Sequence, residues 1–453
     1  MRIFVAGCGE TGLYIARRLI SEGHDLVIMD RNAERCAAVR EDLDALVING
    51  DATSMAAWAN ADMERADIVL CVTDSDAVNI LVCLIADSVA PGAGKAIRLR
   101  SPDYERWQNL LAHRGVKLDC VVHPESKVVE RIFRVLAIPG VSDVRDFCDG
   151  RIRVFGMNVD ADSGLDGVRL DALQAKIDPH SAMIAMINRD QKVFIPHGEM
   201  ALRAGDHVHV AAIAERFEDA LGVMGASRRE SVRQVFIAGG EVGQEVAVAL
   251  EHAGVAVKLF EKDLELCHQL SGILKKSVVI NADGTDQQTL VRENIDGVDA
   301  FLALTDDDNA NIVAALLARR LGAKKLVVLV NKAEYPPLMR RLGINTTVSL
   351  RIKAADAVLS YVRKGGVYSV RTYQEEGAEA IELEAPANSL YIGRPLNKVH
   401  LPRNAVVAAI VRPNCEAIIP RGHDRIQARD RVVLFAEEHL VPRLEADFLE
   451  SGR

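Results

Sequence analysis

The sequence predicts an α/β protein made of two tandem doubly wound parallel-sheet domains, each followed by a small α+β domain. Three observations predict it. Short Val- and Ile-rich runs alternate with helical patterns through the first quarter of the chain, the alternation expected of a parallel sheet covered on both faces. A glycine-rich turn, "GCGETG", joins the first such run to the first helical pattern. The same arrangement is then written again about halfway along the 453 residues.

Strands are read at 2–6, 25–30, 44–49, 67–72, 96–100 and 118–122, each followed by a helix candidate. In "SPDYERW" Ser101 is expected at a helix N-cap, with Pro102 in the first turn. Aromatic residues make up only 4% of the chain, so the cores must rest on Val, Ile, Leu and Ala, which suits strands buried on both faces.

The repeat is specific. "VAGCGETGLYIARRL" returns as "IAGGEVGQEVAVAL" from Ile237, pairing Gly12 with Gly243 and, further on, Asp30 with Glu261, both offset by 231. "NGDAT" returns as "NADGT" and "CVTDSDAVNI" as "ALTDDDNANI", now offset by 232, so one residue is inserted between the early and late markers. "FIPHGEMALRAGDHVHV" matches "IIPRGHDRIQARDRVVL", pairing Pro196 with Pro420 and Asp206 with Asp430 at an offset of 224. The expected organisation is a first Rossmann-like domain at 1–123, a connecting helix and linker at 124–149, and a small α+β domain at 150–228. A second Rossmann-like domain follows at 232–348, then a connecting helix and linker at 349–368 and a second α+β domain at 369–453.

Composition excludes several functions. A net charge of −9 with scattered Lys and Arg argues against a nucleic-acid partner. The eight cysteines form no C-x-x-C pair, so buried thiols in a reducing compartment are expected rather than disulfides or a zinc framework. A strand read from Arg2 leaves no room for a signal peptide, and the apolar run Ile80 to Ala86 is far too short to span a bilayer. A cytosolic protein is expected.

Gly7, Gly9 and Gly12 have G-x-G-x-x-G spacing between a strand and a helix, and Asp30 ends the next strand 18 residues after Gly12. Glycines permit a tight turn and close backbone approach, the helix N-terminus attracts a pyrophosphate, and the acid accepts from ribose hydroxyls while repelling a 2′-phosphate. A dinucleotide or adenine-nucleotide site is therefore expected, with NAD favoured over NADP. Its candidate residues are Gly7, Cys8, Gly9, Glu10, Thr11, Gly12, Asp30, Arg31, Asp51, Ala52, Thr73, Asp74 and Arg98. The second copy offers Gly239, Gly240, Glu241, Val242, Gly243, Glu261, Asp283 and Thr305, but aligned on Gly243 it puts Ala238 where the first glycine should stand. A methyl in that turn is expected to strain it or move the phosphate.

Plainer readings stand beside these. Thr73, Asp74, Asp51 and their second-copy partners suit helix capping, and Arg98 and Arg100 suit an ion pair with a neighbouring helix. Cys8 is either redox-reactive or a small filler in the turn. His207 and His209 share a strand face and offer a chelating pair, but strand alternation alone explains them, and no metal is assigned. A dehydrogenase needs an acid–base residue and an electrophilic clamp beside the nicotinamide. The small domains offer neither, so no catalytic residue is assigned and a non-enzymatic protein is expected.

These marks together resemble a known family. "GCGETG", Asp30, "NGDAT", "CVTDSDAVN" and "IRLRSPDY", with "GGEVG", Glu261, "ADGTD", "ALTDDDNAN" and "GAKKLVVLV", are similar to the ligand-gated RCK, or KTN, domain. Two copies in one chain resemble the cytosolic regulatory subunits of bacterial Trk potassium-uptake systems. The resemblance implies a homo-oligomer, a tetramer, forming a gating ring beneath an integral-membrane K⁺ channel or transporter of the TrkH type. It also implies NAD(H) as ligand, with ATP or ADP at the same or the second site, and a membrane-peripheral location through the partner. Two alternatives are an NAD-dependent oxidoreductase and an RCK-type regulator of another ion transporter, sensing a cyclic dinucleotide in the small domains.

Overall fold

A computed structural model of the chain describes residues 1–449 apart from 60, 102, 139, 162, 179, 191, 197–198, 227–231, 333–334, 345, 363–366 and 374–376. Pro102, the expected junction between 228 and 232, and residues 363–366 of the expected linker at 349–368 lie outside the described residues. Two compact units are present, one formed by 1–127 with 349–364 and the other by 128–348 with 365–453.

The first unit is built on six parallel strands: β1 (Arg2–Ala6), β2 (Asp25–Asp30), β3 (Leu46–Asn49), β4 (Ile68–Cys71), β5 (Gly94–Arg98) and β6 (Cys120–Val122). Their order, β3-β2-β1-β4-β5-β6, reverses direction between β1 and β4, which is the expected doubly wound arrangement. Strand β5 begins two residues before its predicted start, because Gly94 and Lys95 already pair with Ile68 and Val69. The helix after it begins at Tyr104, with Asp103 rather than Ser101 at the N-cap. The Ser101 hydroxyl instead accepts the Asp103 N–H at 3.2 Å.

Each sheet face has its own core. On one, Phe4, Val27, Met29, Trp58, Val69, Val82 and Ile97 pack together. On the other, Ile3, Ile28, Ile15 and Leu19 meet Ala354, Ala355, Val358 and Leu359, which come from the helix Leu350–Val362. That helix lies more than 200 residues downstream in sequence, yet it completes the first domain. Gly94 makes room for it, since a Cβ there would stand 2.0 Å from the Tyr361 hydroxyl.

Among the described residues the second unit holds three sheets. The antiparallel one, order β10-β9-β11-β8-β7, comprises β7 (Val141–Phe147), β8 (Ile152–Asn158), β9 (Ala182–Arg189), β10 (Lys192–Phe194) and β11 (His207–Ile213). A parallel one, order β14-β13-β12-β15-β16-β17, repeats the topology of the first unit with β12 (Gln234–Ala238), β13 (Ala256–Glu261), β14 (Val278–Asn281), β15 (Ala300–Ala303), β16 (Lys325–Leu329) and β17 (Thr347–Val348). The last, order β18-β19-β22-β20-β21, comprises β18 (Val367–Tyr373), β19 (Ala378–Glu384), β20 (Ala405–Val411), β21 (Ala417–Ile418) and β22 (Arg431–Glu437).

The two antiparallel sheets share one core. Phe147, Val154, Met186 and Ala211 from the first pack with Ala380, Ala409, Ile419 and Phe435 from the second. The repeated aspartates serve structure in both. Asp206 accepts the Arg189 guanidinium through both oxygens at 2.7 Å and the Arg203 N–H at 2.8 Å. Asp430 accepts the Gln427 N–H at 2.6 Å and pairs with Arg412. Each is fully buried, which a carboxylate tolerates only when paired in this way.

Candidate functional site

At the carboxyl end of the first parallel sheet, beside the β1–β4 switch point, a cleft of about 580 Å³ opens. It is lined by Gly7, Gly9, Glu10, Thr11, Asp30, Arg31, Asp51, Ala52, Thr73, Asp74 and Arg98, eleven of the thirteen residues expected there. Ligands of doubly wound sheets gather at this place.

The glycine turn is shaped by backbone constraints. Gly7 has φ +101°, and its N–H donates to the Met29 carbonyl at 2.8 Å. A Cβ on Gly12 would stand 1.9 Å from the Gly7 carbonyl oxygen, so the helix Glu10–Ser21 meets the turn only because Gly12 has no side chain. That helix begins at the cleft, lined there by Gly9, Glu10 and Thr11, and its N-terminal dipole favours an anion.

Asp30 stands opposite. Its carboxylate accepts the Cys8 N–H and the Asn32 N–H, each at 2.8 Å, so the acid is held against the turn by its own backbone partners. Asp51 accepts both the Thr53 N–H at 2.9 Å and the Thr53 hydroxyl at 2.8 Å, and these bonds lower its pKa. This is an Asx turn rather than a helix cap. Thr73 ties the β4 end to Asn79: its N–H and hydroxyl both donate to the Asn79 Oδ1, at 2.9 and 2.7 Å. The following helix is capped by Ser75, not by Thr73 or Asp74.

Arg98 is placed for either of its expected roles. It lines the cleft, and one guanidinium nitrogen lies 3.5 Å from the buried Glu125 carboxylate on the helix Pro124–Leu136. Glu10 at the mouth of the turn is paired too, its carboxylate 2.7 Å from Arg351 of the helix Leu350–Val362.

Cys8 and Gly12 do not line the cleft. The Cys8 thiol is buried, and burial together with the nearby Asp30 charge pushes its pKa up to about 12. A thiol held this high carries almost no thiolate at neutral pH, which favours the filler reading of Cys8 over the redox-reactive one. Sequence reasoning missed Asn32, Arg35, Thr53 and Ser75, which also line the cleft. Asn32 and Arg35 carried a signal: Asn32 caps the next helix, and its side chain accepts the Arg35 N–H at 2.9 Å.

The second copy needs one correction. Ala238 is not a misplaced glycine. It ends β12 as Ala6 ends β1, and the Leu304 N–H donates to its carbonyl as the Val72 N–H does to that of Ala6. Gly239 occupies the place of Gly7, donating its N–H to the Phe260 carbonyl at 2.8 Å. The turn is one residue shorter, and the positive φ moves to Gly240, at +96°. Glu261, one methylene longer than Asp30, fills the shortened turn: a Cβ on Gly239 would stand 2.5 Å from its Oε2.

Other second-site residues fall into the same places. Thr305 donates to the Asn311 Oδ1 by its N–H at 2.8 Å and its hydroxyl at 2.7 Å. Asp283 is 2.9 Å from the Lys262 ammonium. Desolvation raises its pKa, but the Thr285 N–H and Lys262 outweigh that and lower it. Glu241 and Val242 open the helix Glu241–His252, Val242 buried and Glu241 exposed. One element is missing: β16 ends at Leu329 where β5 ends at Arg98, so the second copy has no arginine at that strand end.

The TrkA-N domain family matches residues 3–124 and 235–350, and the TrkA-C domain family matches 154–223 and 380–449. The chain belongs to the TrkA family. It is similar to "Trk system potassium uptake protein TrkA" of Haemophilus influenzae, 32% identical with 100% of this chain and 99% of that protein covered. It is also similar to the "Trk system potassium uptake protein TrkA homolog" of Archaeoglobus fulgidus, 33% identical over 99% of this chain and 100% of that one. Among solved structures, the GsuK channel bound to NAD matches with a TM-score of 0.62 at 18% identity, over 99% of this TrkA-family chain and 78% of the channel. Among the described residues no helix is long and apolar enough to cross a membrane.

Proposed function

We propose that this TrkA-family chain is a nucleotide-sensing, non-enzymatic regulatory subunit of a membrane K⁺-uptake system. The observation that carries it is the first-domain cleft of about 580 Å³, lined by a glycine turn at a helix N-terminus and by Asp30. NAD(H) fits this chemistry. The pyrophosphate lies over the Gly7–Gly9 turn, balanced by the helix dipole and Arg98, while Asp30 accepts from the adenosine ribose. ATP or ADP binds the same cleft or the second copy, whose shorter turn and Leu329 leave less to hold phosphate. The matching GsuK channel bound to NAD supports a nucleotide in this fold.

The partner is an integral-membrane K⁺ channel or transporter subunit of the TrkH type, with the chain as a cytosolic homotetrameric ring on its inner face. A nucleotide acts only through different affinity for two ring shapes, and ordinary coupling of roughly 1–3 kcal/mol per site sums over several sites.

Equilibrium titration with NADH, counting sites while following absorbance for oxidation, tests the reading. Saturable binding without turnover, lost in Asp30→Ala, is expected. Binding that survives Asp30→Ala unchanged would refute this site, and steady NADH oxidation would replace the regulator with an oxidoreductase.

A further inference from the structure

We propose that His180, His423 and Asp424 bind a divalent transition-metal ion, Zn²⁺ by ligand chemistry, that clasps the two antiparallel sheets together. The assignment does not rest on the nucleotide cleft. Among the described residues these three alone form a His, Cys, Asp or Glu cluster close enough to hold a metal ion, each offering one donor atom within 4.8 Å of the others. The pair His207 and His209, to which the sequence assigned no metal, is not part of it: His207 Nε2 is engaged with the Ser142 hydroxyl at 2.7 Å and His209 is buried.

His180 precedes β9 in one sheet, whereas His423 and Asp424 lie between β21 and β22 in the other. His180 Nδ1 is 3.8 Å from one Asp424 oxygen, and His423 Nε2 is 3.9 Å from the other. The imidazoles meet edge to face with centroids 6.1 Å apart. Zinc bonds of about 2.0–2.2 Å draw tetrahedral donors closer than this, a contraction available to three side chains whose backbones are already fixed.

That fixing comes from both sheets. The Ile419 N–H donates to the His180 carbonyl at 3.1 Å, joining the two sides of the cluster directly. The His180 N–H donates to Asp178 at 3.1 Å, and the Arg421 N–H donates to Asp424 Oδ2 at 2.6 Å, leaving Oδ1 as the ligand oxygen. The charges of Asp424 and Asp178 both act on the Arg421 guanidinium, although its burial outweighs them and lowers its pKa. An outer contact that orients a ligating carboxylate is the usual support of a metal centre. The His180 and His423 side chains are 47% and 76% exposed, so an ion can enter and water can complete its shell. Two imidazoles select zinc, cobalt or nickel over the oxygen-seeking Mg²⁺ and Ca²⁺. At the repeat offset of 224 the equivalent positions carry Asn404, Glu199 and Met200, so one ion per chain is expected.

The test titrates chelator-stripped, untagged full-length protein with Zn²⁺ in competition with a chromophoric chelator, and with Co²⁺ followed by visible absorption. One site per chain, tetrahedral Co²⁺ bands and no competition from Mg²⁺ or Ca²⁺ are expected. His180→Gln and His423→Gln should each weaken Zn²⁺ by at least the roughly 10–100-fold that loss of an outer-shell partner costs. Asp424 also caps its own turn, so Asp424→Asn can fail to fold; the exposed His423 keeps the proposal testable. Unchanged Zn²⁺ affinity and stoichiometry in the His180→Gln, His423→Gln double variant would overturn it, as would preferential binding of Mg²⁺ or Ca²⁺.

Discussion

Gly12 and Gly243 hold the same place in the repeat and face different constraints. A Cβ on Gly12 would lie 1.9 Å from the Gly7 carbonyl oxygen, whereas one on Gly243 comes no nearer than the Ile237 methyl at 3.2 Å, the Ala238 carbonyl at 3.6 Å and the Leu304 Cβ at 3.7 Å. The deleted residue in the second turn removes the backbone that crowds Gly12. Gly12→Ala must therefore push the helix off the turn, at a cost in or above the roughly 1–3 kcal/mol of overpacking, with loss of NADH binding. Gly243→Ala should cost less than about 1 kcal/mol, because a flexible methyl can yield. Urea unfolding of the two variants decides it, and equal losses would show the turns to be equivalent. At this scale the sequence was readable in residue type but not in register. Glycines and acids were visible as letters, but aligning on Gly243 moved the deletion one step and turned Ala238 into an anomaly. Only the hydrogen bonds of Gly239 and Ala238 locate the missing residue within the turn.

Elements carry charge into places where propensity gives no hint of it. Lys325 opens β16, and its ammonium group is buried against the end of the helix Pro124–Leu136, donating to the Val135 and Ile138 carbonyls, the latter at 3.0 Å. Burial pushes its pKa down to about 7, from 10.5. Between these values the unfolded chain holds a proton that the folded chain does not. Folding stability from this group therefore rises with pH from about 7 to 10.5, by at most about 1.4 kcal/mol per pH unit, and is independent of pH below that window. Lys325→Met should flatten the slope of stability against pH between 7 and 9, measured by urea melts at each pH; an unaltered slope would show the amine to be charged in the fold. Strand β16 itself was legible as "KKLVVLV", because a continuous apolar run reports a strand buried on both faces. Which lysine lies under a helix depends on contacts nearly 190 residues apart, and no local pattern records them.

For the molecule as a whole, the repeat predicts four domains but not how the chain exchanges parts between them. The stretch 349–368 reads as a connecting helix, yet Leu350–Val362 buries Ala354, Val358, Leu359 and Tyr361 in the core of the first parallel-sheet domain. Sequence could not assign this, since a helix with an apolar stripe fits either copy's sheet equally well and the copies share their pattern. A fragment ending at residue 228, which looks self-contained from its motifs, therefore lacks one wall of its first core. Val358, Leu359, Tyr361 and Val362 are each at least 91% buried, and apolar side chains of this size contribute about 1.5–3 kcal/mol apiece. Losing several of them removes as much as the whole net stability of an ordinary domain, about 5–15 kcal/mol. Residues 1–228 alone should then show no cooperative thermal transition, or should self-associate through the bared Ile15 and Leu19 face. Adding a peptide spanning 349–364 should restore a transition and raise its midpoint with concentration, as mass action requires. A fragment that melts cooperatively as a monomer, indifferent to the peptide, would mean that the downstream helix decorates a domain already complete without it.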